Sequence, residues 1–174
     1  MGSFDKLRIP YEASEYGRFQ YVGRFDGDKQ FMAFVTGAMP GEEPYPPLES
    51  NAYEKKRWLA VIHIFDEDGR HLRSESRLGG LDRDGRDAAC ERAWSELGGL
   101  FTELGIASAE PADIYIREFR VNLDDVIHEL VYEEEDEENE EAEQDEEETE
   151  RGWVMLWPND IMFHPPWDSG DYST

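Results

Sequence analysis

Arg57-Trp58-Leu59-Ala60-Val61-Ile62-His63-Ile64-Phe65 is the longest nearly unbroken apolar run in the chain. Its length and its β-branched, aromatic character suit a strand better than a helix. Side chains alternate along a strand, so Trp58, Ala60, Ile62 and Ile64 cover one face and Leu59, Val61, His63 and Phe65 the other. Both faces are apolar, which predicts a central strand with protein above and below it.

The segments on either side read as its neighbours. Asp66-Glu67-Asp68-Gly69 is a hairpin turn, and His71 to Leu78 form a polar partner strand with one face in water. Gly79-Gly80 punctuates the chain before a helix. Upstream, alternating residues around Asp26-Gly27-Asp28 predict paired strands at 18–25 and 30–37. Residues 1–16 read as an irregular lead-in. Residues 39–54 carry four prolines, so no strand or helix interior is expected there. This is a surface loop, with the alternative of a ligand for an aromatic groove.

Cys90, Ala93, Trp94, Leu97, Leu100, Phe101 and Leu104 recur at three- and four-residue steps. They predict a helix over about 85–104, N-capped by Asp84 or Asp87 and ended by Gly105. Gly98-Gly99 lies inside it. Two such glycines cost about 2 kcal/mol relative to Ala, which points to close packing of the helix on the sheet, or alternatively to a hinge. Further strands are expected at 113–121, at Val126 to Tyr132 after a turn at Asn122 to Asp125, and at Trp153 to Trp157. Prolines 158, 165 and 166 exclude regular structure in the tail. Ile161, Met162, Phe163 and Trp167 nevertheless predict that it packs back, over the sheet face opposite the helix. The expected fold is a single α+β domain over 1–174. It has one antiparallel sheet of about seven strands built from hairpins, and one main helix. Trp58, Ile62, Trp94, Leu97 and Phe101 are its expected core.

Charge is unevenly spread. The net charge is −25, and residues 133–150 hold 14 acids and no base. Removing them leaves 42 − 14 = 28 acids against 17 bases, or −11. Like charges at i,i+4 repel and no apolar stripe is present to dock a helix, so this insert is expected to be disordered within a hairpin loop. A nucleic-acid binder needs a basic footprint, which is lacking. Anionic membranes are disfavoured for the same reason. A single cysteine, Cys90, excludes an internal disulfide and suits a reducing compartment. With no signal peptide and no apolar run near 18 residues, the expected location is cytoplasmic.

Catalytic and metal motifs are missing. His63, His71, His128 and His164 show no zinc-ligand spacing. They read as core histidines, with His63 and His128 facing each other if their strands are neighbours. Gly79-Gly80 lacks the Lys-Ser/Thr of a phosphate loop, and no Gly-x-Ser-x-Gly elbow occurs. Asp66, Asp68 and Gly69 match a fragment of a calcium loop without its twelfth-position Glu. Cys90 lacks a Cys-His setting and reads as core. No cofactor or metal is expected.

Several runs carry a family resemblance. They are Gly23-Arg24-Phe25-Asp26-Gly27, Lys56-Arg57-Trp58-Leu59-Ala60-Val61, Phe65-Asp66-Glu67-Asp68-Gly69-Arg70-His71, and Asp113-Ile114-Tyr115-Ile116-Arg117-Glu118-Phe119. Leu156-Trp157-Pro158-Asn159-Asp160 and Phe163-His164-Pro165-Pro166-Trp167-Asp168 complete the set. Together they resemble small actinobacterial proteins labelled "formate hydrogenlyase regulatory protein". The resemblance spans most of the chain and implies an intracellular, non-catalytic accessory protein, with no catalytic residues to transfer.

The functional expectation is a non-enzymatic binding or regulatory protein whose acidic insert engages a basic protein. Its contact residues would be Glu133, Glu134, Glu135, Asp136, Glu137, Glu138, Asp145, Glu146, Glu147 and Glu148, with Phe163 and Trp167 of the tail. One alternative is an immunity or antitoxin-like inhibitor that mimics nucleic-acid charge. Another is an enzyme with an unrecognised site, marked by a deep pocket holding His63 or His128 with a carboxylate. A third reading gives the insert a purely solubilising role.

Overall fold

The computed structural model describes residues 4–11, 21–41, 52–134 and 152–173. Along the chain lie β1 (Leu7–Ile9), β2 (Tyr21–Phe25), β3 (Lys29–Ala38), β4 (Arg57–Phe65), β5 (His71–Leu81) and the helix α1 (Arg86–Glu103). There follow β6 (Glu110–Pro111), β7 (Ile114–Ile116), β8 (Phe119–Leu123), β9 (Val126–Glu134), β10 (Gly152–Trp157), β11 (Ile161–Phe163) and β12 (Tyr172–Ser173). Short 3-10 turns at Ala52–Lys55 and Asp82–Asp84 flank the β4–β5 hairpin.

The fold is α+β, with antiparallel pairing and one α-helix among the described residues. The expected single sheet is instead two five-stranded sheets, β5-β4-β3-β2-β6 and β12-β11-β10-β9-β8, and a two-stranded ladder of β1 and β7. The reason lies in β3 and β4, which are apolar on both faces. One helix covers one face, so the other needs a second layer.

β4 runs between β3 and β5 in continuous register with β3, from Gln30↔Phe65 to Ala38↔Arg57. Its faces divide as its alternation predicts. Ala60, Ile62 and Ile64 join Phe31, Ala33, Leu97, Leu100 and Ile106 beneath the helix. Leu59, Val61 and Phe65 join Met32, Phe34, Leu130, Val154, Leu156, Ile161 and Phe163 between the sheets. The first sheet is thus the middle layer of three.

Several expectations are corrected. The strand predicted at 113–121 is broken at Arg117-Glu118: β7 pairs with β1 and β8 with β9. The lead-in contributes β1, whose Leu7 and Ile9 are buried. The tail packs over the face opposite α1 as expected, yet prolines do not keep it irregular. Pro158 and Pro165 bracket one short strand, β11, and a second, β12, follows them; both extend the second sheet. Trp157–Pro158 and Pro165–Pro166 are cis. Most of the proline-rich loop, 42–51, lies outside the described residues.

The helix ends where Gly105 predicts. Gly105 has φ +71, its N–H donates to Thr102 O, and the Ile106 N–H donates to Phe101 O, a Schellman closure. Its start is capped by Gly85 without a side-chain bond, rather than by Asp84 or Asp87. The buried stripe is Ala89, Ala93, Leu97 and Leu100. Trp94 is 36% exposed, and Trp58 and Phe101 are only partly buried, so of the five expected core residues Ile62 and Leu97 are fully buried.

The glycine expectations are reversed. A Cβ on Gly98 or Gly99 would meet nothing within 4 Å, whereas one on Gly79 would lie 2.4 Å from Ala89 O and 2.5 Å from Ala93 N. Gly79-Gly80 belongs to β5 and is the close-packing pair. It lets the helix backbone settle onto the strand, with Arg92 Nε donating to Gly79 O at 2.8 Å.

Candidate functional site

Three places on the framework carry chemistry: the end of the β9–β10 hairpin, a histidine group between the sheets, and an apolar cavity beside α1.

The hairpin comes first because the acidic run belongs to it. β9 and β10 pair in register from Glu129↔Trp157 to Glu134↔Gly152. Glu133 and Glu134, expected in a disordered insert, are strand residues instead. Tyr, Val and Trp on both strands sustain the ladder two residues past the predicted end at Tyr132. Glu133 accepts a hydrogen bond from Trp153 Nε1 at 3.1 Å. Gly152 is needed there, since a Cβ would fall 2.2 Å from the Tyr132 hydroxyl. Tyr132 meets Trp167 edge-on at 6.0 Å between ring centroids, and Trp167 also meets Phe4 at 6.1 Å. Glu134 is exposed. Glu135, Asp136, Glu137, Glu138, Asp145, Glu146, Glu147 and Glu148 lie outside the described residues. The structure fixes where their segment leaves and rejoins the fold: the adjacent ends of one strand pair.

The tail contacts divide. Phe163 is fully buried in the inter-sheet core, so it offers no side-chain surface to a partner. Trp167 is half-buried beside the hairpin base, with its Nε1 inside and unbonded.

The histidines do come together. His63 on β4 and His128 on β9 are both 0% exposed, with ring centroids 5.4 Å apart. They face each other across the two layers rather than along one sheet. His71 stacks on Phe119 at 5.0 Å. The Ser74 hydroxyl lies 2.6 Å from both His63 Nδ1 and His71 Nε2. One hydroxyl proton serves one ring nitrogen, so the other ring must donate. His63 Nε2 and both His128 nitrogens are buried without a hydrogen-bond partner. Burial holds His63 well below the usual imidazole range, reinforced by His128 and His71. Burial alone pushes His128 down to about 4. Both rings are neutral at pH 7, and among the described residues no carboxylate hydrogen-bonds to either one.

Several other charged groups are engaged structurally. Asp66 Oδ1 accepts the N–H groups of Asp68 and Arg70, both at 2.9 Å, closing the turn that resembled a calcium loop. Lys6 and Arg117 both bond to Asp68 and hold its carboxyl down at about 2. Gln30, almost fully buried, donates to Asp66 O and Tyr115 O and accepts from Tyr115 N. It fastens the β4–β5 turn to β7. Arg8 bonds to Asp113 and to the carbonyls of Asp168 and Ser169, tying both chain ends to the middle. Among the described residues no group of three or more His, Cys, Asp or Glu is placed to hold a metal, and no helix is long and apolar enough to cross a membrane. Cys90 is partly exposed and its thiol is pushed up by burial and by Asp87.

The cavity, about 460 Å³, is lined by Tyr11, Tyr21, Phe31, Trp94, Phe101 and apolar neighbours including Gly98 and Pro111. Among the described residues, no histidine and no carboxylate lines it. Sequence reasoning missed it because Trp94 was placed in the core. The interior Gly98 was its available signal.

No protein-family model matches the chain, and comparison with curated proteins and with solved structures gives no match.

Proposed function

We propose that this is a non-enzymatic binding protein whose acidic β9–β10 extension engages a basic protein partner. One observation carries the reading: Glu134 pairs with Gly152, so the chain leaves the fold before residue 135 and rejoins it after residue 151 at the adjacent ends of one hairpin. That segment holds 14 − 2 = 12 of the insert's acids, and Arg151 is its one base. A charge this dense acts by long-range attraction, raising the encounter rate with a cationic surface more than it adds contact energy. The resemblance to regulatory accessory proteins agrees in kind. The immunity-like alternative is the same electrostatics aimed at a basic nuclease cleft, and a toxin gene beside this one would favour it.

The test is affinity capture from the native host with the full chain and with a variant in which a short Asn-Gly turn replaces 135–151. Basic proteins held by the full chain, released by salt and lost on deletion are the expected result. Capture that is unchanged by deletion and insensitive to salt would overturn the reading. It would shift attention to the folded faces.

A further inference from the structure

The layers of this fold come from separate stretches of chain. β2 to β5 and α1, which enclose the core beneath the helix, are drawn from residues 21–103. The second sheet, β8 to β12, is drawn from 119–173, and the inter-sheet core holds it to the middle layer. Contiguous stretches with their own pairing are the units in which a protein opens short of complete unfolding.

Buried polar groups are divided unevenly between the two cores. Gln30, Thr36 and His63 share the inter-sheet side of the middle sheet with Met32 and Phe34, and His128 meets them from β9. Glu129, the next residue on β9, turns to the outer side of the second sheet, where it pairs with Arg120. None of these five lies beneath the helix.

His63 and His128 are the titratable members of that set within the inter-sheet core. Neither is exposed, and their ring centroids lie 5.4 Å apart across the layers. Around them stand Phe34 of β3, His71 and Ser74 of β5, and Phe119 of β8. Arg73, Glu75 and Arg77 of β5 pair with Ile64, Ile62 and Ala60, and so turn to the helix side. β10 and β11 present Val154, Leu156, Ile161 and Phe163, all apolar. Tyr132 and Tyr172, at the rim of this core, stay neutral in acid. Among the described residues, then, no carboxylate faces either ring. A proton on one of them places an uncompensated charge in an apolar interior, and a proton on both adds repulsion. The surface ties respond differently. The Asp68 carboxyl, held at about 2 by Lys6 and Arg117, is still ionised at pH 4, and Asp113 is also held low, by the Tyr11 N–H and by Arg8. Mild acid therefore acts on the inter-sheet core before it acts on these ion pairs.

We propose that protonation of the His63–His128 pair parts the two layers: in mild acid the second sheet, β8 to β12, comes away from the middle sheet while α1 stays packed on β3 to β5. The product is a compact acid form with its inter-sheet apolar face open.

Hydrogen exchange of the full chain at pH 7 and pH 4, read by mass spectrometry and corrected for intrinsic rates, tests it. The His128 ring takes its proton near about 4 when buried and near about 6.5 when exposed. Moving from pH 7 to pH 4 thus favours the open form ~100-fold through this ring alone. Strands β8 to β11 should lose protection by at least that factor, while β4 and α1 lose less than ~10-fold. His63→Leu combined with His128→Leu should hold the second sheet's loss under ~10-fold; if that pair does not fold at pH 7, His128→Leu alone takes its place. Equal losses in both layers overturn the proposal, since they mean the whole chain unfolds at once. So does a wild-type second sheet that keeps its protection at pH 4, or a variant that loses as much as wild type.

Discussion

Acidification to pH 5 should destabilise the fold through His128. In the folded state its proton affinity corresponds to about 4, against about 6.5 in an unfolded chain. As pH falls below 6.5 the unfolded chain takes up the proton first, so stability present above 6.5 is lost progressively down to about 4. At pH 5 the unfolded ring is almost fully charged and the folded one almost neutral. The difference is roughly 2 kcal/mol. His63, also held low by burial, acts in the same direction. Glu129, whose carboxyl is raised by burial, has the opposite sign, which is why the comparison with a His128 variant, rather than the wild-type loss alone, isolates the ring. Urea unfolding at pH 7 and pH 5 measures the loss. The control is His128→Leu, which fills similar space and removes two unbonded nitrogens. It should be at least as stable as wild type at pH 7 and should lose about 2 kcal/mol less on acidification. Equal losses in the two proteins would refute the reasoning, because they would mean the buried ring is not what couples folding to protons.

Gly79→Ala should destabilise by several kcal/mol, about 3 or more, since the new methyl meets helix backbone on two sides. Gly98→Ala should instead raise stability by about 1 kcal/mol. Thermal melts of the two variants separate close packing from bare propensity. Leu97→Ala, beneath the helix at 1% exposure, should cost about 2–5 kcal/mol in denaturant unfolding, and a loss under about 1 kcal/mol would place it on the surface scale. Replacing 135–151 by an Asn-Gly turn should leave the circular dichroism spectrum and the melting temperature intact or slightly raised, because β9 and β10 already pair to Glu134↔Gly152.

The elements that sequence resolved best were those whose pattern states a local fact. β4 announced both of its faces, and Asp26-Gly27-Asp28 announced a turn. Gly105 announced a helix end. Layer assignment was not local. Alternation says which side chains share a face, not which strand lies beside them, so the hairpins were placed in one sheet when they build two. Trp94 failed for a related reason. Three- and four-residue spacing defines a stripe more than 100° wide, and the small residues Ala89 and Ala93 mark its centre because only they let the helix approach Gly79-Gly80. The large aromatics were left to its rim. The His63–His128 encounter was anticipated, but across neighbouring strands rather than across layers. The acidic run was legible by composition, while its tether at Glu134 needed the register.

Where the positive charge goes bears on where the negative charge acts. Lys6 and Arg117 are held by Asp68, Arg8 by Asp113, Arg77 by Glu103 and Arg86 by Asp82. Lys56 and Arg86 also lie over the Trp58 ring. These are mostly surface pairs, each worth less than about 1 kcal/mol, so their energetic weight is small. Their electrostatic consequence is larger. Each pair behaves as a short dipole whose field dies within a few ångströms in salt, and the folded body is to that extent self-neutralised. The 12 acids between Glu134 and Gly152 have only Arg151 among them. Residues 135–151 carry −12 + 1 = −11 within one short segment, whereas the remaining −25 + 11 = −14 is spread over the rest of the chain. That concentration, more than the total of −25, is the physical basis for expecting a partner to approach from there.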